Sequence, residues 1–69
     1  METERVAVSD ARTNMSELLS SVHHRRRCVL LTQRGKDRAA VVPADLGEEI
    51  EAAGGPDAAL AVLRAARES

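Results

Sequence analysis

The hydrophobic and polar positions at the start of the chain change from an alternating to a helical pattern. Val6 and Val8 lie on one side of an alternation that predicts a short strand over residues 5–8. Ser9 then supplies a good N-cap for a helix that we predict over residues 10–23. The apolar stripe of this helix recurs at helical spacing and consists of Ala11, Met15, Leu18, Leu19 and Val22.

A basic connector at residues 23–27 leads into a predicted hairpin. Residues 28–33 are apolar and β-branched, residues 34–37 have turn chemistry, and residues 38–42 return as the second strand. Within the turn, Gly35 is able to adopt a positive φ. We expect one face of the hairpin to pack against the helix through Val29, Leu31, Ala40 and Val42. The opposite face then carries Leu30 and Val41.

Proline and glycine residues divide the rest of the chain into two further helices. Pro43 suits the first turn of the earlier helix. The glycines at residues 54–55 end it, and Pro56 starts another helix over residues 57–68. A helix of about 12 residues is marginal alone in water, so we expect a partner to cover its apolar side chains. The predicted class is α/β (α+β), with the order β-α-β-β-α and then a tethered helix.

The composition limits the core that the chain can form. It has 69 residues, of which 43% are hydrophobic, but 12 of those 30 hydrophobic residues are Ala. Domains of this size bury little surface and usually need disulfides, a metal or a partner chain. The single cysteine cannot form an internal disulfide, so we expect association with another chain. The lack of Phe, Tyr and Trp excludes nucleic-acid modules that stack bases on aromatic rings.

The net charge of −1 conceals two oppositely charged regions. Residues 1–38 contain eight basic and five acidic side chains, which gives a net charge of +3. Residues 39–69 contain two basic and six acidic side chains, which gives a net charge of −4. This asymmetry indicates a polyanionic partner for the first region and a basic partner for the second. The alternative is that both regions are simply solvated.

We expect a cytoplasmic protein with no membrane partner, no metal and no other cofactor. No apolar run approaches the ~20 residues of a membrane span, and no signal-peptide h-region follows the acidic Glu2 and Glu4. A structural zinc site needs about four ligands, and only His23, His24 and Cys28 are candidates here. Acid–base catalysis needs an orienting carboxylate and a pocket, and we do not expect a chain this small to form them. We therefore expect that the protein is not an enzyme. Cys28 is then expected to be a small buried hydrophobe.

Three segments carry an ordered set of motifs, namely residues 8–19 (VSDARTNMSELL), 31–36 (LTQRGK) and 40–43 (AVVP). In this order and spacing they resemble the Phd/YefM antitoxin family. That family opens with a strand, a Ser/Thr-x-Ala-Arg-x-Asn-Leu-Ser-x-x-Leu helix and an Ile-Thr-Arg/Gln-x-Gly hairpin. The resemblance covers residues 6–50. Family members often place an aromatic residue in the helix after the hairpin, where this chain has Leu46, Gly47 and Ile50.

The resemblance implies a dimerisation and DNA-binding domain over residues 1–53. This domain would form a homodimer through its sheet and bind its own operator DNA as an autorepressor. Residues 54–69 would be a flexible linker and a C-terminal helix that wraps and inhibits a cognate toxin. RelE-like, Doc-like and PIN-domain toxins all fit this expectation. Because toxins that cleave RNA present basic sites, an acidic segment that folds on binding is suited to cover them.

Candidate DNA-binding residues lie at the start of the first helix and at the hairpin tip. Arg12 can reach a phosphate or a guanine edge, and two dimer-related copies would read a palindrome. Thr13 and Asn14 are of phosphate-contacting types, and Arg34 and Lys36 are basic residues beside the turn. The candidate toxin-binding residues are Leu46, Ile50, Leu60, Val62, Leu63, Arg64 and Arg67.

Each of these assignments has an alternative. The candidate cations can be solvated surface residues, Asn14 a local hydrogen-bonding residue, and the last helix a cover for the chain's own core. The arginines at residues 25–27 either attract phosphate non-specifically or form a solvated connector. A ribbon-helix-helix antitoxin needs two helices directly after the first strand, which the β-rich residues 28–33 argue against. The remaining alternative is a protein–protein adaptor with no role in DNA binding.

Overall fold

The chain folds into a three-stranded sheet and four helices over residues 4–68, the part that the computed structural model describes. The elements in chain order are β1 (Glu4–Ala7), α1 (Val8–Thr13), α2 (Met15–Arg25), β2 (Val29–Gln33), β3 (Lys36–Val41), α3 (Ala44–Ala52) and α4 (Pro56–Glu68). The predicted α+β class and the C-terminal helix are confirmed. The division into residues 1–53 and 54–69 stays a prediction, and its outer ends at residues 1–3 and 69 lie outside the described residues.

The predicted first helix is in fact two helices, because the backbone leaves helical geometry at Asn14 (φ −118°, ψ 36°). Two side chains at the break bond to the preceding turn. The Thr13 hydroxyl donates to the Ser9 carbonyl oxygen at 3.1 Å, and the Asn14 amide donates to that of Asp10 at 3.4 Å. Such local side-chain bonds compete with regular helix geometry. The predicted N-cap is also wrong, because Ala7 occupies that position and Ser9 lies inside α1.

The break divides the predicted apolar stripe. Ala11 and Val22 are buried and Leu18 is half-buried, whereas Met15 and Leu19 are 41% and 50% exposed. A stripe at helical spacing stays on one face only while the helix is continuous. The described surface therefore carries two large apolar side chains that the sequence assigns to the core. The two helices after β1 also match the ribbon-helix-helix alternative, but the three-stranded sheet excludes it.

In the sheet, β2 lies between β1, which is parallel to it, and β3, which is antiparallel to it. Val29, only 1% exposed, is the centre of the core. Its partner in β3 is Val41, and Leu30 faces Ala40, so the predicted assignment of Ala40 and Val41 to the two faces is wrong. The cause is a bulge opposite Leu31 and Thr32, which shifts the register of β3 by one residue. A shift of one residue moves every later side chain to the other face.

The turn between β2 and β3 is shorter than predicted. Arg34 (φ 54°) and Gly35 (φ 76°) both have positive φ, and Gln33 pairs directly with Lys36. This is the pattern of a two-residue type I′ turn, whose twist matches that of the two strands. Lys36 and Asp37, predicted as turn residues, therefore belong to β3.

The predicted boundaries of α3 and α4 are confirmed within one residue. The Pro43 carbonyl accepts bonds from the backbone N–H groups of Leu46 and Gly47, which starts α3. At the other end, the Gly55 N–H donates to the Ile50 carbonyl at 2.9 Å, with Gly55 at a φ of 105° that suits glycine. Pro56 then occupies the first position of α4. Ala59 is the buried residue of α4, which packs against α3.

Candidate functional site

Arg12 and Arg34, although 22 positions apart, line one shallow depression of about 230 Å³. It lies where the parallel strands β1 and β2 both end, since Ala7 pairs with Thr32 there. The β1–α1 junction and the turn after β2 thus place both arginines at the same edge of the sheet. The remaining lining residues are neutral: Ala7, Val8, Ser9, Thr32 and Gln33. The depression is therefore basic, with polar side chains able to bond to an anion.

Thr13 and Asn14 lie next to Arg12, but part of their bonding capacity is used locally. The single hydroxyl proton of Thr13 is donated to the Ser9 carbonyl oxygen. Asn14 donates one of its two amide protons to Asp10 and keeps the second. Asn14 is therefore the better placed of the two to donate to a phosphate oxygen.

Lys36 is exposed at the first position of β3, and it does not line the depression that Arg12 and Arg34 share. Within residues 4–68, the three ion pairs of the structure involve none of these three cations. Their charges are therefore not compensated by a nearby carboxylate of the described chain. Such uncompensated charges produce a positive potential that attracts polyanions.

Two of the three arginines at residues 25–27 form ion pairs with carboxylates of the chain. Arg26, in the left-handed C-cap of α2, binds the Asp45 carboxylate with two bonds of 2.7 and 2.8 Å. Arg27 is paired with Glu4 of β1 and also donates to the Ser21 hydroxyl. Arg25 lies in the last turn of α2, where a cation is favourable for the helix dipole. Two of the three arginines thus connect α2 to α3 and to β1.

The pair between Arg26 and Asp45 alters the ionisation of both groups. The side-chain bonds from Arg26 hold the pKa of the Asp45 carboxyl below its ordinary value of 3.8. The same contact raises the pKa of the Arg26 guanidinium, chiefly through the bond to Asp45. Both side chains are more than half exposed, so this link between the end of α2 and the start of α3 contributes little to stability.

Of the candidate toxin-binding residues in α4, four share one face of the helix and one lies on the opposite side. Leu60, Leu63, Arg64 and Arg67 follow the i, i+3, i+4, i+7 spacing of a single face of α4. Leu60 and Leu63 are exposed on that face. Val62, also exposed, lies on the opposite side of the helix by the same spacing.

The two candidate toxin-binding residues of α3 differ from each other in exposure. Leu46 is 40% exposed, and Ile50 is half-buried near the end of the helix. Together with α4 they leave five large apolar side chains of the last two helices open to contact, in whole or in part.

Cys28 is exposed, which contradicts its expected burial. The interior position is occupied instead by the neighbouring Val29, the first residue of β2. Over residues 4–68, no three His, Cys, Asp or Glu side chains come together as metal ligands would. None of the helices in the described part of the chain is long and apolar enough to cross a membrane.

Sequence reasoning missed one further contact beside the hairpin. The Arg5 guanidinium of β1 reaches across β2 and binds the Asp37 carboxylate of β3, with Nε at 3.1 Å from Oδ1. These residues are 32 positions apart, and no periodic pattern connects them. Their opposite charges and the strand order, once known, are the signals that would have found the pair.

Comparison with known proteins supports the resemblance seen in the motifs. A family model described as antitoxin Phd_YefM of the type II toxin-antitoxin system matches residues 3–69. None of the curated proteins or solved structures compared with the chain gave a match. The family match extends past the motifs and through α4, so it includes both the sheet edge and the C-terminal helix. The chain belongs to the Phd_YefM family of antitoxins of type II toxin-antitoxin systems.

Proposed function

We propose that this antitoxin acts through two surfaces. A homodimer binds the operator DNA of its own gene through Arg12 and the hairpin tip, and so represses transcription. The segment from Leu46 to the C-terminus neutralises a cognate toxin by covering its active site. The observation that carries the proposal is the shared depression of Arg12 and Arg34, because it joins two distant motif residues in one basic surface.

The DNA-binding part rests on charge and geometry at the edge of the sheet. Arg12 and Arg34 supply guanidinium groups that bind phosphate or guanine with two bonds at once. Asn14 and Lys36 extend the surface on either side with further donors. Two such surfaces in a symmetric dimer would meet two half-sites of a palindrome. Binding of this kind weakens steeply as salt concentration rises, because bound phosphates release their counterions.

The homodimer is supported by the small size of the core. Among residues 4–68, the buried hydrophobic residues are Ala11, Val22, Val29 and Ala59. Two of these are alanines, and Met15 and Leu19 remain exposed. A chain of this length with so little buried surface usually gains stability from association. A second copy covering the open apolar side chains would supply it.

The toxin-binding part rests on α3 and α4. The face of α4 with Leu60, Leu63, Arg64 and Arg67 is apolar along its start and basic along its end. The acidic residues of α3 complement the basic sites of toxins that cleave RNA. Neutralisation by covering the site needs no catalysis by the antitoxin. RelE-like, Doc-like and PIN-domain toxins are all candidates, and the cytoplasm is the compartment in which they would act.

The DNA-binding part is tested with the DNA upstream of the gene, by fluorescence anisotropy at low salt. We expect the chain to bind, and Arg12→Ala to weaken binding while light scattering shows an unchanged dimer. Failure of the native chain to bind, with and without its toxin, would overturn the repressor role and favour the adaptor alternative. Dissociation of the Arg12→Ala dimer would show that Arg12 is structural.

The toxin-binding part is tested by truncation after Gly55. We expect the shortened chain to bind DNA nearly as the full chain does and to lose toxin neutralisation in a growth-rescue assay. Leu63→Ala, on the proposed face of α4, should weaken neutralisation more than the matched Val62→Ala on the other side. Neutralisation by the truncated chain would place the toxin site elsewhere.

A further inference from the structure

We infer that Arg38, the extra residue of the β3 bulge, is a third phosphate contact beside Arg34 and Lys36. The DNA-binding surface then extends from the hairpin tip along one side of β3. This inference rests on the proposed operator binding and specifies which further residue of this chain takes part in it.

The register of the hairpin singles out Arg38. Leu31 pairs with Ala39 and Thr32 pairs with Asp37, so Arg38 between them has no partner in β2. An extra residue of this kind bends the strand and redirects a side chain. At a bulge two residues oppose one on the partner strand, so Arg38 and Ala39 both lie opposite Leu31. Leu31 is on the same side of β2 as Gln33, the partner of Lys36, so Arg38 is on the side of Lys36 and Asp37 is on the other. The bulge thus adds a cation next to the hairpin tip.

The only carboxylate between residues 33 and 41 is that of Asp37. Arg5 binds both of its oxygens, with Nε at 3.1 Å from one and a terminal guanidinium nitrogen at 3.4 Å from the other. The pair is about half exposed on both sides, so its contribution to stability is small. Its effect on charge is larger, because the acid is neutralised from β1 on the face away from Lys36 and Arg38.

Three cations therefore remain uncompensated along the hairpin. Arg34, Lys36 and Arg38 take part in none of the ion pairs found within the described residues 4–68. Arg38 is exposed. With a rise of about 3.3 Å per strand residue, Lys36 and Arg38 stand roughly 6.6 Å apart. Flexible side chains at this spacing can each reach a phosphate of DNA, whose charges recur about every 3.4 Å along a strand.

The test measures how operator binding by the full chain depends on salt. Each phosphate contact contributes about 0.9 to the slope of log K against log salt concentration. Arg38→Gln in both protomers should therefore reduce the slope by about 1.8, with weaker binding at every salt concentration. Arg38→Lys should keep a slope close to that of the native chain, because it retains the charge. Circular dichroism checks that both variants are folded.

Arg25→Gln is the matched control, since it removes an exposed arginine that lies at the end of α2. An equal loss of slope in Arg25→Gln would overturn the inference, because it would show a general effect of net charge. An unchanged slope in folded Arg38→Gln, while the native chain binds, would also overturn it and leave the proposed function intact. No binding by the native chain would instead overturn the proposed function. If Arg38→Gln weakened only toxin binding, the surface would belong to the toxin.

Discussion

Residues 4–41 and the last two helices, α3 and α4, differ in the sequence range of the contacts that stabilise each of them. In residues 4–41, ion pairs join distant segments, with Arg27 bound to Glu4 and Arg5 bound to Asp37 across the sheet. In α3 and α4, the backbone hydrogen bonds at the helix ends join residues at most five positions apart. The long-range contact of this part is the ion pair of Asp45, in the first turn of α3, with Arg26. Long-range contacts make a structure open as a unit, whereas local contacts let a segment open alone. The sheet is therefore suited to be a scaffold, and the last two helices are suited to adapt to a partner.

The largest expected difference is between truncating a core side chain of the sheet and truncating an exposed side chain of α4. Val29→Ala should lower the free energy of unfolding by about 2 kcal/mol, because it removes two buried carbons and leaves a cavity. Leu63→Ala, at a side chain 58% exposed, should change it by less than about 0.5 kcal/mol. Urea unfolding at a fixed chain concentration measures both. Equal losses of stability would contradict the division into scaffold and adaptable segment.

A smaller effect is expected from Gly55, in the turn after α3, and from Gly47 inside that helix. Gly55→Ala should destabilise the chain by roughly 1 kcal/mol, because its φ of 105° is unfavourable for a residue with a Cβ. Gly47→Ala is the matched control inside the helix, where a Cβ meets no atom within 4 Å. It should stabilise α3 by up to about 1 kcal/mol. Thermal unfolding followed by circular dichroism compares the two variants. A change of melting temperature of the same sign in both would refute the positive φ assigned to Gly55 in the turn after α3.

The smallest effect is expected from the ion pair of Arg26 and Asp45, which connects the two parts. Because Arg26 lowers the pKa of Asp45 in the folded chain, the pair adds stability above the ordinary value of 3.8. That stability is lost as the pH falls through the lowered pKa. Asp45→Asn should therefore lower the melting temperature at pH 7 and have a decreasing effect below pH 3.8.

Asp57→Asn is the control for this last prediction, since Asp57 also lies in the first turn of a helix. It shares the effect of the helix dipole but not the contact with Arg26. If both variants shifted the melting temperature equally at pH 7, the contact between Arg26 and Asp45 would not connect the two parts.

The features that could be predicted from sequence are those with a local cause. The glycine pair before Pro56 marks the end of α3 and the start of α4, because glycine and proline act on their own backbone. The motif around Arg12 and the Gly35 turn indicated the family and the hairpin. The sequence predicts both Arg12 and Arg34 as candidates, but nothing in their spacing indicates that they share a depression.

The features that could not be predicted depend on how segments meet. A regular two-residue turn would put Ala40 opposite Val29, as the alternation suggests, and only the bulge at Arg38 changes the partner to Val41. The break at Asn14 left the helical spacing of apolar residues intact, so the periodicity did not show it. The pairing of Arg26 with Asp45 depends on the end of α2 meeting the start of α3, which a reading of each segment alone does not contain.

The turn residue Arg34 illustrates a trade-off between the stability of the hairpin and the charge of the sheet edge. Its φ of 54° lies in the left-handed region, where asparagine and glycine are favoured and arginine is not. Asparagine at this position would suit the turn better and would raise the stability of the hairpin. It would also remove one of the two guanidinium groups from the depression at the sheet edge. A search for stabilising substitutions would select this position early, and the variant it produced would be a more stable protein with a less basic sheet edge.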